Sequence, residues 1–279
     1  MRIPPKYTQK AAVAVLAGAT LVTLAVLLFI IGFVLDKGLP VVSFKFLFTN
    51  PEDMGRAGGI FPTLVGSVLL PLLAIAIAMP LGVGTAVYLT EYTRETRVTK
   101  VIRFGTDCLA GIPSIIFGLF GFIFFVAMLG FGWSLLSGGL TLAIMILPTI
   151  IRTSEEAIRA VPHSFREVSF SLGATRWETV IKVVLPNALP GIVTGVMLGV
   201  GRCISETAAV IFTAGLALRL PQSPFDSVRT MAVHYYVLVR EGLSTENAYG
   251  TAAILIIAVL LVNMTAYWLM HRFIARRTK

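Results

Sequence analysis

Long stretches of this chain carry no Asp, Glu, Lys or Arg for longer than a soluble fold tolerates. Ala11–Leu35 runs 25 residues without a charge, Ala57–Thr90 runs 34 and Cys108–Ile151 runs 44. A helix rises 1.5 Å per residue, so about 20 apolar residues cross the roughly 30 Å of bilayer hydrocarbon. The longest run exceeds one span, and Gly130, Gly132, Gly138 and Gly139 divide it. The expected fold is all-α and polytopic, with six spans near 11–35, 62–89, 106–129, 138–151, 187–215 and 248–270. They form one transmembrane domain over residues 1–279, with loops at 152–186 and 216–247. With 56% hydrophobic and 13% charged residues, there is no room for a large soluble domain beside the spans. Arg2, Lys6 and Lys10 precede the first run, which is longer than a signal-peptide core, so it reads as a retained helix.

Six spans put both ends on one side, and Lys and Arg decide which. Sixteen of them fall on the side of the termini and six on the other, with Arg202 inside a span and uncounted. Both termini and the 152–186 loop are therefore expected in the cytoplasm. The net charge of +9 follows from this asymmetry, so no nucleic-acid partner is expected; lipid is.

The cytoplasmic loop has internal punctuation. Ser164 and Glu167 have capping-box spacing, Gly173 is a helix-ending residue, and Thr175 and Glu178 repeat the box. Trp177, Val180, Ile181, Val184 and Leu185 then fall on one helical face, before Pro186 and Pro190 open the next run. A helix–Gly–helix elbow suits pressing on another protein; a loop lying on the membrane is the alternative. Thr153 and Glu156 form a further box, expected to start a helix that ends near Pro162. In the outer loop, Val228, Met231, Ala232, Tyr235, Tyr236 and Val239 predict an amphipathic surface helix followed by Gly242. It suits receiving a soluble partner, closing the outer mouth, or lying structurally at the interface.

The fifth span holds an ionisable pair deep in an apolar run, Arg202 and Glu206. Each charge in lipid costs roughly 2.5–3.5 kcal/mol or more, so such groups face a cavity or each other. At i, i+4 they are expected to share a helix face. A guanidinium there can grip a tetrahedral oxyanion with two hydrogen bonds, with Glu206 neutralising it when the site is empty. A structural ion pair between helices is the alternative. Gly191, Gly195 and Gly199 lie ahead of the pair at i, i+4 and i+8, a groove expected to pack against a partner helix. Pro71 and Pro80 in the second span are compatible with a kinked pathway wall.

No phosphate-binding loop of the G-x-x-x-x-G-K-[ST] type occurs, and no Gly-Lys pair exists, so this chain has no usual means of binding ATP. His163, His234 and His271 are scattered, and Cys108 and Cys203 have no disulfide or metal spacing. No catalysis, metal or bound cofactor is assigned to this chain.

The loop resembles that of ATP-binding-cassette importer permeases, whose pattern is E-A-A-x3-G-x9-I-x-L-P. Glu167, Gly173, Leu185 and Pro186 keep every spacing, while Val168 and Ser169 replace the alanines and Val183 the isoleucine. Gly111-Ile-Pro-Ser114 through Gly118, Ile150 through Pro162, and Gly201 through Thr207 narrow the resemblance to the phosphate-uptake branch and its A-type permeases. The resemblance covers about residues 10–272. It implies a type I importer permease fold and an inner-membrane location. It implies that Glu167, Gly173, Ala174, Leu185 and Pro186 couple to an ATPase. It further implies a heterodimer with the C-type permease, two ATPase copies and a phosphate-binding protein. Arg202 and Glu206 match charged residues the family needs for transport, with Ser114 and Thr207 beside the same pathway. A permease for another oxyanion or small solute would keep the elbow and dispense with Arg202. A self-contained secondary transporter should show inverted repeats and several intramembrane acids, and neither is seen.

Overall fold

The computed structural model describes residues 5–277. Arg2 and Lys279, counted above toward orientation, lie outside the described residues. In chain order the helices are α1 (Pro5–Gly38), α2 (Phe44–Phe48), α3 (Phe61–Val87), α4 (Arg97–Ala110), α5 (Ser114–Gly121) and α6 (Leu135–Arg159). They are followed by α7 (His163–Ser171), α8 (Arg176–Thr179), α9 (Leu185–Ser205), α10 (Ala208–Thr213), α11 (Met231–Arg240) and α12 (Thr245–Arg277). The two short strands, β1 (Pro51–Glu52) and β2 (Ala57–Gly58), pair antiparallel around a tight turn after α2.

Among the described residues five helices are long and apolar enough to cross a membrane: Gln9–Val41, Phe61–Tyr92, Leu135–Arg159, Arg176–Ser205 and Thr245–Thr265. A sixth span requires counting α4 with Ser114–Met128 as one, and that pair is bent by 100°. The third stretch is thus broken rather than straight. The break falls at Gly111-Ile112-Pro113, where proline restricts the residue before it to extended conformations.

The centre is α3 against α6. Leu70, Ala74 and Ala78 of α3 are fully buried with Leu142, Met145, Ile146 and Ile150 of α6. Small residues permit the approach: a Cβ on Gly82 would stand 2.7 Å from the Ile150 side chain, and one on Gly139 2.5 Å from Leu73. In a bilayer, such fit supplies the association that apolar burial supplies in water. α9 lies on the same α6 surface. By contrast α1 has none of its apolar stretch buried and is held by α12, where Gly38 meets the Tyr249 carbonyl.

Several helix boundaries differ from expectation. α6 runs unbroken through 152–159, so Thr153 caps nothing; its hydroxyl donates to the Thr149 carbonyl at 2.8 Å. A helix already under way satisfies the N–H groups that a capping box would serve. In the 216–247 loop α11 forms, but its buried face is Met231, Ala232, Val233, His234 and Leu238. Tyr235, Tyr236 and Val239 of the expected apolar stripe are exposed. The face is chosen by tertiary contact: the Met231 N–H donates to Ser67 of α3 at 2.7 Å, and His234 sits under the turn at Gly55.

Candidate functional site

Arg202 lies in the last turn of α9, half-buried, with Cys203 beside it buried in the central core. The helix stops after Ser205, where the backbone of Glu206 turns extended (ψ 132°), and the Ser205 hydroxyl turns back to the carbonyls of Gly201 (3.0 Å) and Arg202 (3.3 Å). The carboxylate of Glu206 then accepts the Ala209 N–H at 3.3 Å and caps α10. The shared helix face expected for Arg202 and Glu206 is therefore not formed. Among the described residues no ion pair joins them, and the Arg202 guanidinium has no hydrogen-bond partner.

Two chain breaks come together beside it. Ser114 opens α5 after Pro113, and α5 packs on α10 so closely that a Cβ on Gly118 would stand 2.9 Å from Ala209 Cα. Thr207 precedes α10, its carbonyl accepting the Ile211 N–H at 3.0 Å. Backbone outside a helix is tolerated at membrane depth only where protein or a cavity lines it. The fold thus groups Arg202, Glu206 and Thr207 on one break, with Ser114 heading the helix packed against it.

The glycine row has a different partner from the one expected. A Cβ on Gly191 would stand 2.6 Å from Ala157 Cβ, one on Gly195 would run into Thr153, and Gly199 faces Ile146 at 3.5 Å. All three neighbours are on α6 of the same chain. The row seats α9 within the subunit, and the expectation of a groove for a partner helix is corrected.

The elbow at 163–186 forms with a sharp turn. Gly173 has φ +83°, a conformation costly for residues with a Cβ, and Ala174 N–H closes the turn on the Ser169 carbonyl at 3.1 Å. The Thr175–Glu178 capping box is present, with both reciprocal bonds. The Ser164–Glu167 box is not: α7 is preceded by Pro162 without a side-chain cap, and Glu167 is exposed. Proline at that position already sets the backbone for the helix start. α8 continues through a wide i→i+5 turn at Val180–Val184 into α9, so Leu185 and Pro186 lie inside one rod from Arg176 to Ser205. The wide turn shifts the register. Val180 and Val184 are buried, whereas Trp177 and Ile181 of the expected single face are exposed.

Sequence reasoning missed what holds the elbow. Arg166 is buried on α7 and its Nη2 donates to Glu91 Oε1 at 2.6 Å. Arg103 Nε donates to the buried Glu155 at 3.0 Å, and Ser169 shares a 2.8 Å hydroxyl bond with Thr179 across the turn. Glu91, Arg103, Arg166 and Thr179 border a cleft of about 530 Å³ that also faces Arg159, His163 and Arg176. One signal was legible: Glu91 is the first charge after the 34-residue uncharged run, placed where an α3 terminus must find a partner. Among the described residues no three His, Cys, Asp or Glu side chains gather as a metal site needs.

Comparison with known proteins fits this arrangement. Residues 78–279 match the family described as binding-protein-dependent transport system inner membrane component. The "Probable ABC transporter permease protein YqgI" of Bacillus subtilis is 35% identical, covering 95% of each chain. The "Phosphate transport system permease protein PstA 1" of Mycobacterium tuberculosis (strain CDC 1551 / Oshkosh) is 38% identical, covering 82% of this chain and 75% of that protein. A bacterial alginate ABC transporter, crystallised with an alginate pentasaccharide-bound periplasmic protein, has a chain of the same fold. It matches with a TM-score of 0.69 at 14% identity, covering 98% of each chain.

Proposed function

The chain belongs to the binding-protein-dependent transport system inner membrane component family, and we propose that within it the chain is one permease half of an ATP-driven importer of inorganic phosphate. As a family member it is a transport subunit, and ATP hydrolysis resides in a separate subunit. Partnership with an ATPase and a binding protein follows from membership at that coarse level. The finer assembly is our reading: a C-type permease as second half, two ATPase copies that use ATP and magnesium, and a phosphate-binding protein outside. Both termini and the elbow face the cytoplasm in this reading, supported by the Lys and Arg asymmetry.

The observation that carries the substrate is Arg202, a half-buried arginine at the end of a spanning rod with, among the described residues, no carboxylate bound to it. Phosphate cannot cross an apolar layer without compensating charge. One arginine offers a forked, transient site, and its fork matches two oxygens of a tetrahedral anion. Relatives named as phosphate transport permeases support the same substrate. Glu206, Thr207 and Ser114 stand at the two chain breaks where backbone polar groups also face the path.

The elbow is the proposed ATPase contact. Glu167 is exposed, Leu172 is 83% exposed and Trp177 64%, a protruding apolar surface on a turn locked by Gly173. The continuous rod from Arg176 to Ser205 joins that surface to Arg202.

The experiment measures labelled phosphate uptake in vesicles holding equal amounts of assembled transporter. Arg202→Gln is expected to assemble and to lose nearly all uptake. Arg202→Lys is expected to regain part, since an ammonium lacks the planar fork. Wild-type uptake by Arg202→Gln overturns the substrate assignment.

A further inference from the structure

We propose that Arg166 and Glu91 form a clasp through which movement of the elbow reaches the membrane core. The proposal rests on reading 163–186 as the ATPase-docking element.

α7 has little apolar root. Only Arg166 and Ser169 of its residues are buried, while Phe165, Val168 and Phe170 are 45%, 61% and 46% exposed. The joint is instead polar and directional. Arg166 Nη2 donates to Glu91 Oε1 at 2.6 Å, and Nε reaches both Glu91 oxygens at 3.1 and 3.2 Å. The other face of the guanidinium closes the end of α6: Nη1 donates to the Val161 carbonyl at 2.8 Å and Nη2 to that of Ile158 at 3.0 Å. Ile158 is in the last turn of α6 and Val161 lies just beyond it, so one arginine bonds two carbonyls at that helix end. Glu91 sits in the wide turn Tyr88–Tyr92 that finishes α3.

One side chain therefore ties α7 to both helices of the central pair. A greasy contact tolerates sliding, because apolar packing is not directional. A fork with fixed donors does not. The elbow has a second connection, the rod from α8 through α9 to Arg202. When the elbow shifts, the rod moves α9, and the clasp sets how α3 and α6 follow. Arg103 braces the same corner: it bonds Glu155 of α6, Glu95, and the Leu89 carbonyl at 3.3 Å. Arg166 is thus a positioning residue for transport and meets neither phosphate nor ATP.

The test uses the whole transporter, with ATPase and binding protein, in lipid nanodiscs. Arg166→Met, Glu91→Gln, the double variant and Arg166→Lys are compared. Two readouts are taken: stimulation of ATP hydrolysis by the loaded binding protein, and nucleotide-induced change in hydrogen exchange. The ATPase is expected to co-purify with each variant. Stimulation is expected to fall about tenfold in each single variant, within the range of coupling between linked sites. The double variant should be no worse than either single one, and Arg166→Lys should recover part. Nucleotide should still alter exchange in 163–180 but no longer in 150–161. Unchanged stimulation in Arg166→Met overturns the clasp. So does loss of the ATPase from that variant, if Glu91→Gln retains both the ATPase and full stimulation. The docking premise is checked separately in wild-type Arg166 background by cross-linking Trp177→Cys to the ATPase. Absence of that cross-link overturns the docking reading itself, and the clasp falls with it.

Discussion

Arg166 and Arg202 are the same residue in two opposite settings. Arg166, at the root of the elbow, is 8% exposed and answered by a carboxylate and backbone carbonyls. Arg202, at the end of α9, is half-buried and, among the described residues, answered by no side chain. A saturated guanidinium has no capacity left for a ligand and serves as a joint. An unsaturated one retains its fork for something that passes. Arg229 lies between the two: its Nε donates to the Leu216 carbonyl at 2.9 Å and its Nη1 lies 3.4 Å from Nδ1 of His234, with no carboxylate.

The sharpest way to break the comparison is to remove the carboxylate and read stability alone. Glu91→Ala strands Arg166 in a buried place, and breaking such a pair costs about 3–5 kcal/mol. Arg202→Ala removes no bond and is expected to change stability by less than about 0.5 kcal/mol. Thermal unfolding of the purified chain in detergent separates them; equal losses would erase the distinction.

Arg229 predicts an effect of similar or somewhat smaller size, revealed by pH. Burial first, and then the Arg229 charge, hold the His234 imidazole down at about 4 from 6.5. The folded α11 region therefore prefers neutral His234. That preference is fully present above pH 6.5 and is lost as pH falls toward 4, where the unfolded chain takes the proton first. It amounts to roughly 3 kcal/mol at neutral pH. Protection of the α11 amides, taken relative to the intrinsic exchange rate at each pH, should fall between pH 7 and 5, and His234→Gln should flatten the profile. A wild-type profile already flat over that range would show that the α11 region does not depend on this imidazole.

A smaller effect tests whether the rod carrying Arg202 is seated within its own subunit. Gly195→Leu forces a side chain into Thr153 of α6, an overpacking expected to cost about 1–3 kcal/mol. The isolated chain should lose stability before any second permease is added. If it unfolds as wild type does and only recovery of the two-permease complex suffers, the glycine row faces outward after all.

How much was legible depended on whether a feature was local. Gly173 and the Thr175–Glu178 box are local: a positive φ and a three-residue reach are decided by neighbours in the chain, and both form as read. The Ser164–Glu167 box has the same spacing and does not form, because Pro162 already sets the start of α7. Arg202 was found as a charge in an apolar run, since lipid makes such a residue costly wherever it points. Its relation to Glu206 could not be read, because helical spacing holds only while the helix continues, and α9 stops after Ser205.

By itself, then, the sequence determined an all-helical membrane chain, the elbow and its glycine turn, and an arginine set in an apolar run. Uncharged length and turn chemistry act within a few residues or against the solvent, so no partner is needed to predict them. Only the tertiary structure decided the partners. The glycine row met α6, Glu206 capped α10, α5 and α10 came together from two broken stretches, and Arg166 found Glu91 across 75 residues of chain. Which side chain answers a buried charge is a matter of where distant helices cross, and helix packing is set by shape over the whole bundle.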